Sequence, residues 1–295
     1  MARARPPTFI LNRRRWGLTF VAPTVLFFAA FSIFPVLLGG YLSLTRYDLL
    51  SPPRYVGLDN YFALLHDRLF LKSVGNTLIF VLGSTIPVWV ASLLLALLFE
   101  APFRGREFAK ALLFTPVLLP LVVVAVVWKV LLHPSGVLTE LASPLFGLSE
   151  IRWLTDISLS PYAVIFVHNW TAIPFFMVIW LAGLSGISDE VRDAAKLDGA
   201  SATQTLFYVI LPLLKPTVVL ITALSTINAF QGFILQYVMT PDRGGPADAN
   251  VTLGVLIWKY GFQYYRMGAA AAVSVVLFAA ILLVTAVQLW LGRER

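Results

Sequence analysis

Six stretches of this chain run for roughly the twenty residues a membrane crossing needs, or longer, with hardly a charge. They lie at about Trp16 to Leu44, Asn76 to Phe99, Ala109 to Leu132, Pro161 to Leu184, Thr217 to Val238 and Gly268 to Leu291. A hydrocarbon core about 30 Å thick is crossed by an α-helix of about 20 apolar residues. Only helices and closed barrels satisfy their backbone groups there. The chain is 59% hydrophobic, where a soluble domain holds about 45–50%, and the excess has nowhere to hide except against lipid. The expected fold is therefore an all-α polytopic membrane protein with six transmembrane helices. The third run carries Pro116, Pro120 and Lys129, and the fifth carries Asn228, Gln231 and Gln236. Neither can face lipid all round.

The first run follows Arg13, Arg14 and Arg15, as a signal peptide would. A signal core, however, spans only about 7–15 residues and ends in a small-residue cleavage site. This run is about twice as long and continues through Pro35 to Thr45, so it reads as a retained anchor. The expected layout is a basic tail at 1–15, a membrane domain at 16–291 holding a charged loop at 188–212, and a short tail at 292–295.

Placement of Lys and Arg sets the orientation. With the N-terminus inside, 13 of the 22 basic residues fall on the cytoplasmic side, including both tails, Arg104, Arg106, Lys110, Arg192, Lys196 and Lys215. Nine fall outside, among them Arg46, Arg54, Arg243, Lys259 and Arg266. N-in and C-in is the better assignment. The outer loops, at 46–75, 133–160 and 239–267, are each too short for a folded domain.

Several chemistries are excluded. Cysteine is absent, and His66, His133 and His168 match no metal-ligand spacing. The acidic residues sit in loops, with no catalytic carboxylate pair, no H-E-x-x-H pattern and no phosphate-binding G-x-x-x-x-G-K-[ST] loop. Neither catalytic nor metal-binding residues are expected, nor a cofactor or a nucleic-acid partner. The central part of each span also lacks the Asp or Glu that ion coupling in a standalone secondary carrier would need.

One inner loop stands out. Asp189-Glu190-Val191-Arg192-Asp193-Ala194-Ala195-Lys196-Leu197-Asp198 holds six charges with a net of −2. Ser188 or Asp189 can cap a helix, Gly199 interrupts it, and Ser201 with Gln204 forms an S-x-x-Q capping box for a second helix. Pro212 and Pro216 then end that helix and turn the chain back into the bilayer. A helix lying on lipid carries basic residues on one face and bulky apolar ones on the other. This one is acidic and lined with alanine, which suits close approach to a cytoplasmic protein, with a plain structural connection as the alternative.

The order Asp193-Ala194-Ala195, Asp198-Gly199-Ala200, Leu211-Pro212 and Pro216 resembles the EAA motif of the membrane subunits of bacterial ABC importers, with Asp193 where the pattern has Glu. Arg54 to Tyr61, RYVGLDNY, is similar to the F-x-G-L-x-N-Y element of the carbohydrate branch of that family. MTPDRGGP at Met239 to Pro246 resembles its L-T-x-G-G-P element, with Asp242 and Arg243 inserted. The GGP element resembles the first permease of the maltose and glycerol-3-phosphate systems. The resemblance implies the type I importer, or MetI-like, permease fold. It implies a coupling helix in which Asp193, Ala194, Ala195, Asp198, Gly199 and Ala200 meet an ABC ATPase. It further implies a heterodimer with a second permease, an extracytoplasmic solute-binding protein, ATP and magnesium held by the ATPase, and inner-membrane residence.

Candidate substrate contacts are Asn228 and Gln231, which share a helix face at i, i+3, together with Asn169 and Trp170, with His168 as a weaker candidate. Neutral amides and an indole face suit a sugar or polyol. The alternative is that these side chains bond helix to helix. Lys129 is expected to snorkel to the outer interface. Other readings are an importer of glycerol phosphate or a similar small solute, the secondary carrier, and a membrane enzyme acting on lipid-linked sugars.

Overall fold

A computed structural model of the chain describes residues 8–144 and 151–292. Arg3, Arg5, Arg293 and Arg295, used in the orientation argument, lie outside the described residues. The chain opens with α1 (Thr8–Phe28), which runs through a π-helical turn at Ala29–Ile33 into α2 (Phe34–Ser43). Its start at Thr8 rather than Trp16 makes part of the expected 1–15 tail helical. A two-residue strand β1 (Thr45–Arg46) pairs antiparallel with β2 (Arg54–Tyr55), and α3 (Asp59–His66) follows.

Here the RYVGLDNY element shows its structural use. Asn60 Nδ2 donates to the carbonyls of Ser43 and Thr45, both at 2.8 Å, and the Tyr61 hydroxyl donates to Ser43 Oγ. The element thus satisfies carbonyls that the end of the first span leaves free.

α4 (Arg68–Glu100) is the longest helix, 33 residues, or about 50 Å at 1.5 Å per residue. Asp67 caps it, accepting from the amides of Leu69 and Phe70. Its buried face steps through Ser73, Thr77, Phe80, Ser84, Val88, Ser92, Ala96 and Phe99, a helical repeat of small and apolar residues. Lipid gives helices no hydrophobic drive to associate, so close packing and interhelical hydrogen bonds must hold them. α8 (Ser160–Leu184) meets this face over the most extensive helix–helix interface among the described residues. Buried Trp180 donates from Nε1 to Ser92 Oγ at 3.1 Å, and Asn169 Nδ2 donates to the Gly83 carbonyl at 3.0 Å.

The third and fifth runs are not the single helices expected. The third divides into α5 (Arg106–Leu118) and α6 (Leu121–Leu131), bent by 98°. Pro120 lacks an N–H and excludes the helical conformation at Leu119, which is extended at φ −85, ψ 138. A short α7 (Val137–Ala142) leads toward α8. The charged loop forms α9 (Asp189–Leu197), then α10 (Ala202–Gln204), a π-helical turn at Thr205–Ile210 and α11 (Leu211–Leu213). Pro212 does not end the second helix as expected. The wide turn before it takes up the missing N–H bond, and the break falls at Leu214.

The fifth run is α12 (Lys215–Phe230) and α13 (Ile234–Met239), interrupted at Gln231 to Phe233. α14 (Leu253–Trp258) and α15 (Met267–Gly292) complete the chain. With α12 and α13 taken together as one span, the described residues hold five helical spans long enough to cross a bilayer, or six with the bent α5–α6 pair counted as one.

Candidate functional site

Both interruptions face one cavity of about 540 Å³. One wall is the α5–α6 bend, with Pro116, Val117, Leu119 and Leu121, and the other is the α12–α13 break. α4 contributes Phe80 and α8 contributes His168, Thr171, Phe175 and Phe176. Irregular backbone at membrane depth survives only where protein or a cavity receives its polar groups. The same arrangement marks the solute sites of many transporters.

The break is built around Gly232. A Cβ there would lie 2.6 Å from the Phe80 ring and 2.9 Å from Gln236 Nε2, so no larger residue fits without moving them. The Gly232 carbonyl, released from the helix, accepts the Thr252 hydroxyl at 2.9 Å. Thr252 is also the N-cap of α14. Leu253 N donates in turn to Thr77 Oγ1 on α4 at 2.9 Å.

Asn228 and Gln231 are exposed side chains lining the cavity, as the i, i+3 reading expects. His168 lines it as well, its ring edge-on to Phe80 at 5.0 Å. Gln236, on α13, is 1% exposed, and neither atom of its amide has a hydrogen-bond partner. The other two candidates point elsewhere. Asn169 gives its Nδ2 to Gly83 and leaves its buried Oδ1 without a partner, while Trp170 packs edge-on against Trp128 at 5.3 Å, and neither lines the cavity. Lys129 is exposed and donates to the Val238 carbonyl at the end of α13. Sequence reasoning missed Phe80, Phe175 and Phe176. It also missed the part Pro116 and Leu119 play as a wall, although the pair of prolines at 116 and 120 was the visible signal.

The cavity offers amides, one imidazole and phenyl faces. Its described lining holds no Asp, Glu, Lys or Arg.

At the end of the bundle marked by α9, the charged loop is well formed. Gly199 takes φ +78, Ala200 N donates to Ala195 O and Gly199 N to Lys196 O, both at 3.0 Å. This is the paired-bond C-terminal stop that a left-handed glycine permits. Ser201 and Gln204 form both bonds of the capping box. Ala195 is buried, and Asp193 is exposed and paired with Lys196 at 2.8 Å. Asp198 is exposed as well, and nothing lies within 4 Å of the position a Gly199 Cβ would take.

The opposite end is pinned by residues 241–260. Lys259, almost fully buried, pairs with Asp248 at 2.7 Å. Asn76 Nδ2 donates to the carbonyls of Asp248 and Val251, and Asn250 Nδ2 donates to Ser160 Oγ at 2.6 Å. Arg243 lies over the rings of Tyr237 and Trp258, 5.4 and 5.0 Å from their centres. Tyr260, 1% exposed, donates to the second oxygen of Asp67, the carboxylate that caps α4. Burial works against the Asp67 charge, but the Tyr260 hydroxyl, the Leu69 and Phe70 amides and Arg266 outweigh it, and its pKa falls below the usual value. Burial first, and then the neighbouring carboxylate, raise the Tyr260 pKa.

The described residues form a helical membrane bundle with two broken spans around a largely apolar cavity that carries a few amides and no charged side chain among its described lining. Residues 77–295 match the family described as "Binding-protein-dependent transport system inner membrane component", and the chain belongs to that family. It is thus a membrane-embedded permease subunit and not an enzyme. The chain is 30% identical to the "Trehalose/maltose transport system permease protein MalF" of Thermococcus litoralis, over 95% of this chain and 94% of that one. It is 29% identical to the "Multiple sugar-binding transport system permease protein MsmF" of Streptococcus mutans, over 97% of each. A crystal structure of a bacterial alginate ABC transporter, in complex with its alginate pentasaccharide-bound periplasmic protein, contains a chain of the same fold. That chain superposes with a TM-score of 0.80 at 21% identity, covering 95% of each.

Proposed function

We propose that the chain is one permease of an ATP-driven importer that carries a neutral sugar or related polyol across the inner membrane by alternating access. The observation that carries this reading is the cavity between the two broken spans. It presents Asn228, Gln231 and phenyl faces with no charged side chain among its described lining. A carboxamide donates and accepts at once, as paired hydroxyls require, and phenyl rings take up the apolar face of a sugar ring. The permeases from T. litoralis and S. mutans carry sugar transport in their names, which supports the same class.

In this reading α9 and the segment after it lie in the cytoplasm, with the N- and C-termini, and the 241–260 segment lies outside. Asp193, Ala194, Ala195, Asp198, Gly199 and Ala200 form the coupling surface for an ATPase that holds ATP and magnesium. A second permease completes the cavity, and an extracytoplasmic binding protein delivers the solute.

The test is uptake by proteoliposomes containing this chain, its second permease, its ATPase and its binding protein. ATP-dependent uptake of a neutral sugar from a labelled panel is expected. Asn228→Ala and Gln231→Ala should each raise the half-saturating concentration roughly 2- to 12-fold, one hydrogen bond's worth of about 0.5–1.5 kcal/mol. Uptake by this chain alone without ATP, or undiminished uptake in both variants, overturns the reading.

A further inference from the structure

α9 is attached to the rest of the described chain by few groups. Ala195 is its one buried residue, and its neighbour in the fold is the π-helical turn that follows it. Asp193 and Lys196 pair within the helix with side chains 64% and 72% exposed, an arrangement that contributes little. Arg192 differs. Its side chain is 20% exposed, its guanidinium contacts the Glu100 carboxylate, itself 29% exposed, and its Nη2 lies 3.4 Å from the Leu184 carbonyl. Glu100 is the last residue of α4 and Leu184 the last of α8. One guanidinium therefore joins α9 to the ends of the two helices that share the largest interface. Arg106, at the start of α5, adds a bond from Nη1 to the Glu100 carbonyl at 3.2 Å.

Glu100 is also placed against its helix. A carboxylate at a helix C-terminus meets the negative end of the dipole, so the position is unfavourable unless a cation faces it. Arg192 supplies that cation from across the charged loop. The helix it grips is continuous from Glu100 past Phe80 in the cavity wall to Thr77, which holds the Leu253 amide. Displacement of the Glu100 end is therefore carried along α4, through Pro87, toward Phe80 in the cavity wall, while Thr77 stays held at the far-end anchor.

We propose that the Arg192–Glu100 ion pair is the strut through which movement of α9 reaches α4, and that it sets coupling between ATP hydrolysis and transport rather than ATPase docking. This rests on the reading that α9 docks an ATPase. Arg192 and Glu100 are positioning residues, since neither touches the solute cavity.

The test uses the complete reconstituted transporter and begins with co-purification of the ATPase. Arg192→Ala and Glu100→Ala are expected to retain the ATPase and its basal hydrolysis. Uptake, and stimulation of hydrolysis by the liganded binding protein, should fall about tenfold, within the usual range for a coupling free energy between sites. The chain has no cysteine, so Arg192→Cys with Glu100→Cys allows a bifunctional thiol reagent to replace the ion pair by a covalent link. That link should restore coupling lost in the unlinked double variant. Normal stimulation and uptake in both alanine variants overturns the proposal, as does loss of the ATPase from them. No recovery on cross-linking overturns it as well. If the unsubstituted chain captures no ATPase, the docking reading fails first, and visibly so.

Discussion

The Thr252 hydroxyl closes on the Gly232 carbonyl at 2.9 Å, so a residue of the 241–260 segment seals the broken backbone of the fifth span. Thr252→Val keeps the shape and removes the donor. The part-buried carbonyl then loses its donor and α14 its cap bond, at a combined cost of about 1–3 kcal/mol. Thermal unfolding in detergent should show the loss, and Thr252→Ser should recover most of it. Equal stability of the valine and serine variants would remove the seal.

Gln236 sets stability against function. Both of its amide atoms are buried and without a partner, a state that burdens the fold. Gln236→Leu should therefore leave the protein as stable or stabilise it by roughly 1–3 kcal/mol. In the same variant uptake should fall, because a branched apolar side chain replaces an amide in the cavity wall beside the Gly232 break. A destabilised variant with normal uptake would contradict both halves.

The Asp67–Tyr260 pair should give the bundle two pH limits. Asp67 has a lowered pKa, so its contribution is complete above the ordinary carboxylate range and is lost as pH falls through the lowered value. Tyr260 has a raised pKa, so its contribution is complete below the ordinary phenol range and is lost as pH rises above about 10, where an unfolded tyrosine ionises. Asp67→Ala should cost about 0.5–2 kcal/mol as a lost helix cap and should flatten the acid side of the pH–stability profile. An unchanged acid limb in Asp67→Ala would show that other carboxylates set it.

Gly199→Ala separates backbone strain from crowding. No atom lies within 4 Å of the added Cβ, but φ is +78. The cost should be about 1 kcal/mol, that of one left-handed non-glycine residue. Differential scanning of the isolated chain should show it, with ATPase capture weakened to a similar extent. A bulkier residue should cost the isolated chain no more and the assembled one much more. Equal penalties in both states would count against a docking surface at this turn.

What the sequence disclosed was local. Runs of apolar residues announced the spans, and the caps at Gly199, Ser201 and Gln204 could be read because their partners lie within a few residues. The cavity was half legible: Asn228 and Gln231 stood out as amides in an apolar run. Asn169 and Trp170 do not line this cavity, and α8 is apolar on all sides, so hydropathy marks no inward face. Successive residues of a helix point about 100° apart (360° over 3.6 residues), which puts His168 on the cavity while Trp170 meets Trp128. The break in the third span needed a decision between a kinked helix and a full corner, and Pro116 with Pro120 suits both. Arg192 and Glu100, 92 residues apart, leave no sequence signal at all.

The pinned segment at the end opposite α9 has a mechanical consequence. Asn76 and Thr77 tie it to α4, Ser160 to α8 and Gly232 to the fifth span. Three spans are thereby stapled at one end, and none of these bonds joins them at the other. In the proposed coupling, travel is smallest at the staple and largest toward the end that carries α9. Over a rod of about 50 Å, a swing of about 6° displaces that end by about 5 Å, close to the rise of one helical turn. Glu100 sits at that end, where Arg192 ties it to α9 and reaches the Leu184 carbonyl of α8.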